Sequence, residues 1–393
     1  MDWREEKCAA LCAARCVVVK VGSAVLTTPQ GLGVDTITQL VRQLVALRTL
    51  PDGGQRKVVL VSSGAVAAGR AVLKGQHIAC GADLASRQGA AAVGQSRLME
   101  CYDSAFAPFN VVTAQVLLTR DDLRSRQRFL NARNTFATLL DYGVLPIVNE
   151  NDTVSVQELK FGDNDCLASL LVNLVEADLF INLTSAPGVF GENPQSNPHA
   201  RVLPCIEDIA SLELEHMCGG KTSVGTGGMY SKMLTARRVA QLGVPTLVLP
   251  GRVAHIIDQA CAETPAQPDT VGTWVRPQGH AISRRKFWLA YQSDPVGEVC
   301  VDAGAARALQ QKGSSLLPGG VCDVQGNFQR GALVRIVTHD DTPVSLGVGL
   351  SNYSAAELKR IMGLKRLEVA AALGDAHYPE VIHRDNMLLN AAI

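Results

Sequence analysis

The chain has 393 residues, more than one ordinary core accommodates, so two domains are expected. Hydrophobic residues make up 47% and aromatics 5%, enough for well-buried sheets. The 37 basic and 37 acidic residues cancel, which removes the electrostatic case for nucleic acid or membrane as the main partner.

The N-terminus, MDWREEK, is acidic, and Arg15 interrupts the short apolar stretch that follows, so no signal peptide is expected. Cys8, Cys12 and Cys16 fall at helical i, i+4, i+8 spacing, but no zinc-finger set accompanies them. Eleven cysteines, an odd count spread from Cys8 to Cys322, read as reduced thiols of a cytoplasmic protein. No uncharged apolar run approaches the roughly 18 residues of a membrane helix, so the expectation is a soluble chain.

From about residue 15 to 262, short apolar strands alternate with amphipathic helices. The strand candidates are 16–21, 57–62, 110–119, 144–149, 178–184 and 245–250, rich in Val, Ile and Leu and mostly without polar alternation. Strands of that kind are parallel and covered on both faces. Helices are expected at 34–49, 83–107, 128–142, 163–176 and 229–242. The pattern predicts a three-layer α/β/α sandwich with a mainly parallel central sheet.

Prolines and glycines gather over 263–279, a linker signal. Beyond it, RRKFWLA, GEVCVDAGA, GNFQRGALVRIV and VSLGVGLSNY suggest a small, mostly β module with a short helix near 303–312. A further helix is expected after Ser354 as N-cap. From residue 284 onward, 12 Lys/Arg face 11 Asp/Glu, which argues against RNA binding by this module.

Ligands of open α/β sheets sit beyond the carboxyl ends of the strands. The residues leaving each strand therefore matter: Gly22 and Ser23, Ser62 to Gly64, Asn149 to Asp152, Thr184 and Ser185. Lys20 is the only charge in VVVKVGSAV. It reads either as a strand-end lysine snorkelling to water or as an ammonium held near phosphate oxygens. The stretch NENDTVSVQELKFGDNDCLASLL carries Glu150, Asp152, Asp163 and Asp165 among Asn149, Asn151 and Asn164. Helix capping accounts for part of it; two acid–amide clusters also suit a small polar substrate with Mg²⁺ nearby, although no metal ligand can be assigned. In GTGGMYSK, glycines precede a helix whose first turn holds Lys232, which suits ATP phosphates without being a Walker loop.

Taken together, these pieces resemble the glutamate 5-kinases of the amino acid kinase family. VVVKVGSAVLT, VSSGAVAAGR, AAVGQSRL, RFLNARNT, PIVNEND, FGDNDCLASL, GTGGMYSK and GSSLLPGGV…GNFQRG match in order and spacing, from residue 17 to 331. The C-terminal module is similar to a PUA domain. The resemblance implies a kinase domain over 15–262, a linker over 263–283, a PUA-like domain over 284–370 and a tail over 371–393. It implies ATP- and Mg²⁺-dependent phosphorylation of the L-glutamate side chain, the first step of proline synthesis.

Carried over by position, Ser63, Asp152 and Asn164 would bind glutamate. Lys20 and Lys232 would stabilise the phosphoryl group in flight, and Asp165 would orient those lysines. Lys20, Gly22, Ser23, Thr184, Ser185, Gly225, Thr226, Gly227, Gly228, Met229 and Lys232 would line the ATP path. Feedback by L-proline, a glutamyl-phosphate reductase as recipient of the product and a dimer or tetramer are also implied. Two positions depart from the family: Ala24 where a hydroxyl is usual, and Ser185 where the nucleotide-side strand usually ends in Asp.

Overall fold

Six consecutive buried residues, Cys16 to Val21, leave no solvent-facing side on the first strand, so it can only be an inner member of a covered sheet. The computed structural model describes residues 2–154, 164–218, 228–267, 270–291, 294–340, 343–373 and 378–389. It divides into two compact units, residues 1–281 and 282–393.

The first unit is built on eight strands: β1 (Cys16–Val21), β2 (Lys57–Ser62), β3 (Thr113–Leu118), β4 (Leu145–Glu150), β5 (Leu179–Thr184), β6 (Cys205–Ile206), β7 (Thr246–Pro250) and β8 (Thr273–Val275). Their order is β3-β4-β2-β1-β5-β7-β8-β6, with only the β7–β8 pairing antiparallel. The expected three-layer sandwich with a mainly parallel sheet is what forms. The chain runs from β1 outward to β2, then returns to lay β5 on the other side of β1. That reversal makes β1/β5 the topological switch point, where ligands of such sheets bind.

Alternation along β1 and β5 sorts the two faces. Val17, Val19, Val21, Leu179, Ile181 and Leu183 enter one apolar core, shared with helices Val34–Leu47, Leu84–Phe106 and Ile256–Ala262. Lys20, Asn182 and Thr184 therefore point to the opposite face. There lie the helices Asn164–Leu174 and Met229–Gln241, whose N-termini supply the polar groups described below. On the first face, helices Ala65–Gly75 and Leu84–Phe106 approach so closely that a Cβ on Gly69 would lie 1.8 Å from the Ala90 carbonyl oxygen. Only glycine fits there.

Several elements were not foreseen, β6 and helix Ile256–Ala262 among them. Helix Trp3–Ala13 joins the first unit through Lys7, almost fully buried, whose Nζ lies 2.6 Å from Glu263 Oε2. Within the stretch expected as linker, Thr273–Val275 forms β8, paired with β6 and β7. RRKFWLA, grouped with β segments, is instead helix Arg284–Tyr291; Phe287, Ala290 and Tyr291 are buried at helical i, i+3, i+4 spacing. The cysteines of the N-terminus separate: Cys8 donates to the Glu263 carbonyl, Cys12 is exposed, and Cys16 lies buried in β1. Among the described residues they belong to no group of three or more His, Cys, Asp or Glu side chains arranged to hold a metal.

The second unit holds a five-stranded sheet of β9 (Gly297–Val301), β10 (Val321–Gly326), β11 (Leu333–Thr338), β12 (Ser345–Leu350) and β13 (Met387–Leu389), in the order β10-β9-β11-β12-β13. Helix Ala303–Lys312 occupies the expected residues, and Ser354 caps the helix after it in a capping box with Glu357. Part of the expected tail, Met387–Leu389, pairs with β12.

Candidate active site

A lysine in the interior of a fully buried strand needs an anion, because an isolated buried ammonium is prohibitively costly. Lys20 finds Asp165. Its Nζ bonds Asp165 Oδ1, while Lys232 Nζ lies 2.9 Å from Oδ2. Ser231 Oγ donates to the same Oδ2 at 2.8 Å, and Asn182 Nδ2 reaches Oδ1 at 3.4 Å. Asp165 is fully buried, with Lys20 and Lys232 at 2% and 5% exposure. Burial alone would push the Asp165 carboxyl up; the two ammoniums outweigh it and hold the group well below the usual carboxylate range.

Each partner arrives from a different element. Lys20 comes from β1, two residues before Gly22, where an added Cβ would stand 3.9 Å from the lysine Nζ. Asp165 occupies the first turn of its helix, which follows the polar segment after β4. Lys232 sits on the first turn of helix Met229–Gln241, entered through Gly228 in extended backbone. Among the described residues, the two cations and one carboxylate of this cluster leave one net positive charge beside two helix N-termini. That combination attracts phosphate.

A second polar group lies beside the first, joined to it by consecutive residues Asn164 and Asp165. Asn164 Nδ2 donates to Ser63 Oγ and to Asn149 Oδ1, both at 2.8 Å. Asn149 in turn donates to Gln95 Oε1 at 2.9 Å, and its Oδ1 accepts from the Glu150 amide. Ser62 Oγ, one residue before Ser63, shares a 2.8 Å hydrogen bond with the buried Tyr102 hydroxyl. Asp152 follows β4, half-buried. Its carboxyl is pushed up to about 6 by burial and by the nearby Glu150 charge, with Arg87 opposing.

Ser23 and Ser185 are exposed at the carboxyl ends of the adjacent strands β1 and β5, and Thr184 is buried beside Ser185. Ala24 offers its carbonyl to the Arg252 guanidinium. Gly228 and Met229 stand at the start of the Lys232 helix. Asp163, Gly225, Thr226 and Gly227 lie outside the described residues. Residue-type reasoning missed Asn182, Ser231, Asn149 as a hub, Gln95 and Arg87. Asn182 carried the same signal as Lys20, a polar residue inside an apolar strand; Gln95 lay within the motif AAVGQSRL, but its residue type alone pointed to no role. Among the described residues no cluster of three or more His, Cys, Asp or Glu side chains is arranged to hold a metal, and no helix is long and apolar enough to cross a membrane.

The amino acid kinase family matches residues 15–250. The chain belongs to the amino acid kinase family. The PUA domain matches residues 297–373. A glutamate 5-kinase of Nitratidesulfovibrio vulgaris (strain DP4) is 64% identical over 393 residues, the whole of both chains. One from Oleidesulfovibrio alaskensis is 58% identical, again over the whole of both. One from Thermus thermophilus is 44% identical over 381 residues, 96% of this chain and 97% of that relative.

Proposed function

We propose that this amino acid kinase transfers the γ-phosphoryl group of ATP to the side-chain carboxylate of L-glutamate, giving glutamyl 5-phosphate for proline biosynthesis. The observation that carries the reading is the buried Lys20–Asp165–Lys232 cluster at the switch point. Its support is the set of full-length relatives named glutamate 5-kinase.

The substrate carboxylate is ionised at neutral pH, so no general base is required. A carboxylate oxygen attacks the γ-phosphorus, the bond to the β–γ bridging oxygen breaks, and ADP leaves with that electron pair. The difficulty is charge, since an anion approaches a polyanion; cations at the transferring group lower that barrier. Lys20 and Lys232 fill this role, and Asp165 keeps both ammoniums on the same side of the reacting atoms. ATP enters as its magnesium complex, in which the nucleotide phosphates supply hard oxygen ligands. Gly22, Ser23, Thr184, Ser185, Gly228 and Met229 border its path. Thr226 and Gly227 belong to the same glycine-rich stretch.

Ser63, Asn164 and Asp152 would hold glutamate, with Asp152 facing its ammonium. Asp152 must be ionised for that, and its pKa is raised to about 6, so kcat/KM for glutamate is expected to rise with pH through about 6 and level off above it. The substrate side chain itself titrates at about 4.3, too low to account for the rise. Asp152→Asn should flatten the profile and raise KM. An unchanged profile in that variant would remove Asp152 from the site.

The primary test is ATP- and Mg²⁺-dependent turnover with L-glutamate, trapping the acyl phosphate with hydroxylamine, for the native chain and for Ser185→Asp. Turnover is expected in both, with the KM for ATP shifted by up to about tenfold and kcat retained, the scale of one hydrogen bond. Silence of both folded proteins would overturn the reading. Turnover in the variant alone would mean that the native nucleotide pocket does not take ATP.

The reading extends to partners. L-proline would compete at the glutamate subsite, a glutamyl-phosphate reductase would receive the hydrolysis-prone product, and the enzyme would work in the cytoplasm as a dimer or tetramer. Functionally, residues 15–262 would form the kinase domain and 284–370 the PUA-like domain.

A further inference from the structure

Asn182 occupies the middle of β5, fully buried, opposite Lys20 of β1 in the strand register. A polar side chain in such a position must be satisfied or it destabilises the fold. This one is half satisfied. Its Nδ2 donates to Asp165 Oδ1 over a long 3.4 Å, and its Oδ1 has no hydrogen-bond partner among the described residues. A buried acceptor left that way destabilises the fold. An apolar side chain of the same size would avoid this cost. Asn182 is therefore poorly explained as a stabilising residue.

We infer that Asn182 is a positioning residue for phosphoryl transfer, acting through Asp165; the inference deepens the glutamate kinase reading and rests on it. Among the described residues, each Asp165 oxygen accepts from one lysine and one neutral donor: Lys20 and Asn182 at Oδ1, Lys232 and Ser231 at Oδ2. The lysines must turn toward phosphate oxygens as charge develops there, loosening their hold on the carboxylate. The neutral donors do not turn. Asn182 is fixed in a central strand, hydrogen-bonded on both sides, and keeps Oδ1 in place while Lys20 engages the phosphate. The long bond suits the task, because a neutral donor competes only weakly with the ammonium and leaves it free to respond.

Two variants test this, each measured beside the native enzyme by hydroxylamine trapping at saturating ATP over a range of glutamate concentrations. Asn182→Leu removes the donor and the unsatisfied acceptor together. Its melting temperature is expected to stay level or rise. Its kcat should fall about tenfold, the rate equivalent of one hydrogen bond, with the KM for glutamate unchanged. Asn182→Asp keeps the shape, and its buried carboxyl can donate to Asp165 only when protonated. Its kcat should therefore be lowest at high pH and recover as pH falls. A kcat within about twofold of native in Asn182→Leu, or a pH profile for Asn182→Asp parallel to the native one, would overturn the inference. Failure of the native enzyme to turn over glutamate would instead overturn the reading on which it rests.

Discussion

Alanine at Lys20 or at Lys232 is expected to lower kcat by about 10²–10⁴. Both lysines are more than nine-tenths buried and meet at one carboxylate, so each places a full charge in a site with little water to screen it. A loss of that size corresponds to about 3–5 kcal/mol of transition-state stabilisation, within the range measured when a preorganised charge is removed. In the proposed role the ammoniums act on charge that develops during transfer, not on bound glutamate. The KM for glutamate should therefore move little while kcat collapses. Lys→Met at each position controls for lost packing, since the thioether keeps most of the stem volume. Steady-state rates of hydroxamate formation give the answer, and a variant turning over at the native rate would remove that lysine from the transferring group.

Much of this site can be read along the chain because its anchors lie at strand ends and helix starts. β1 and β2 occupy the expected residues, and β3, β4, β5 and β7 fall within a few residues of their apolar runs. Lys20 drew attention by breaking such a run, and Gly228 and Lys232 by ending a loop and opening a helix. What was hidden is set by distant partners. Lys7 makes helix Trp3–Ala13 part of the first unit by pairing with Glu263, 256 residues away, which no local pattern encodes. Thr273–Val275 is a strand only because β6 and β7 flank it. Gln95 looks like any helical glutamine until the fold brings Asn149 to it. Asn182 was legible by the rule that singled out Lys20, yet an amide in a strand is easily passed over where a charge is not.

Asp165→Asn should be the more damaging change to the resting protein. The variant keeps the shape of the side chain and removes the anion shared by two buried ammoniums. Taking one partner from a buried ionic cluster costs about 3–5 kcal/mol, a large part of the stability of an ordinary domain. The pH dependence gives the sign. In the native chain the Asp165 carboxyl lies well below its unfolded value, so its contribution is complete above the ordinary carboxylate range and is lost only as pH falls through the depressed folded value. In the variant the two lysines become the strained groups, and burial favours their neutral forms. The unfolded chain then binds more protons than the folded one, so the stability deficit should shrink between neutral pH and about 10, where free lysine titrates. MgATP should also recover part of the loss by returning negative charge to the lysines, in proportion to its occupancy. Thermal unfolding across that pH range, with and without MgATP, reads both effects. A deficit independent of pH and of nucleotide would mean that Asp165 serves packing and does not neutralise Lys20 and Lys232.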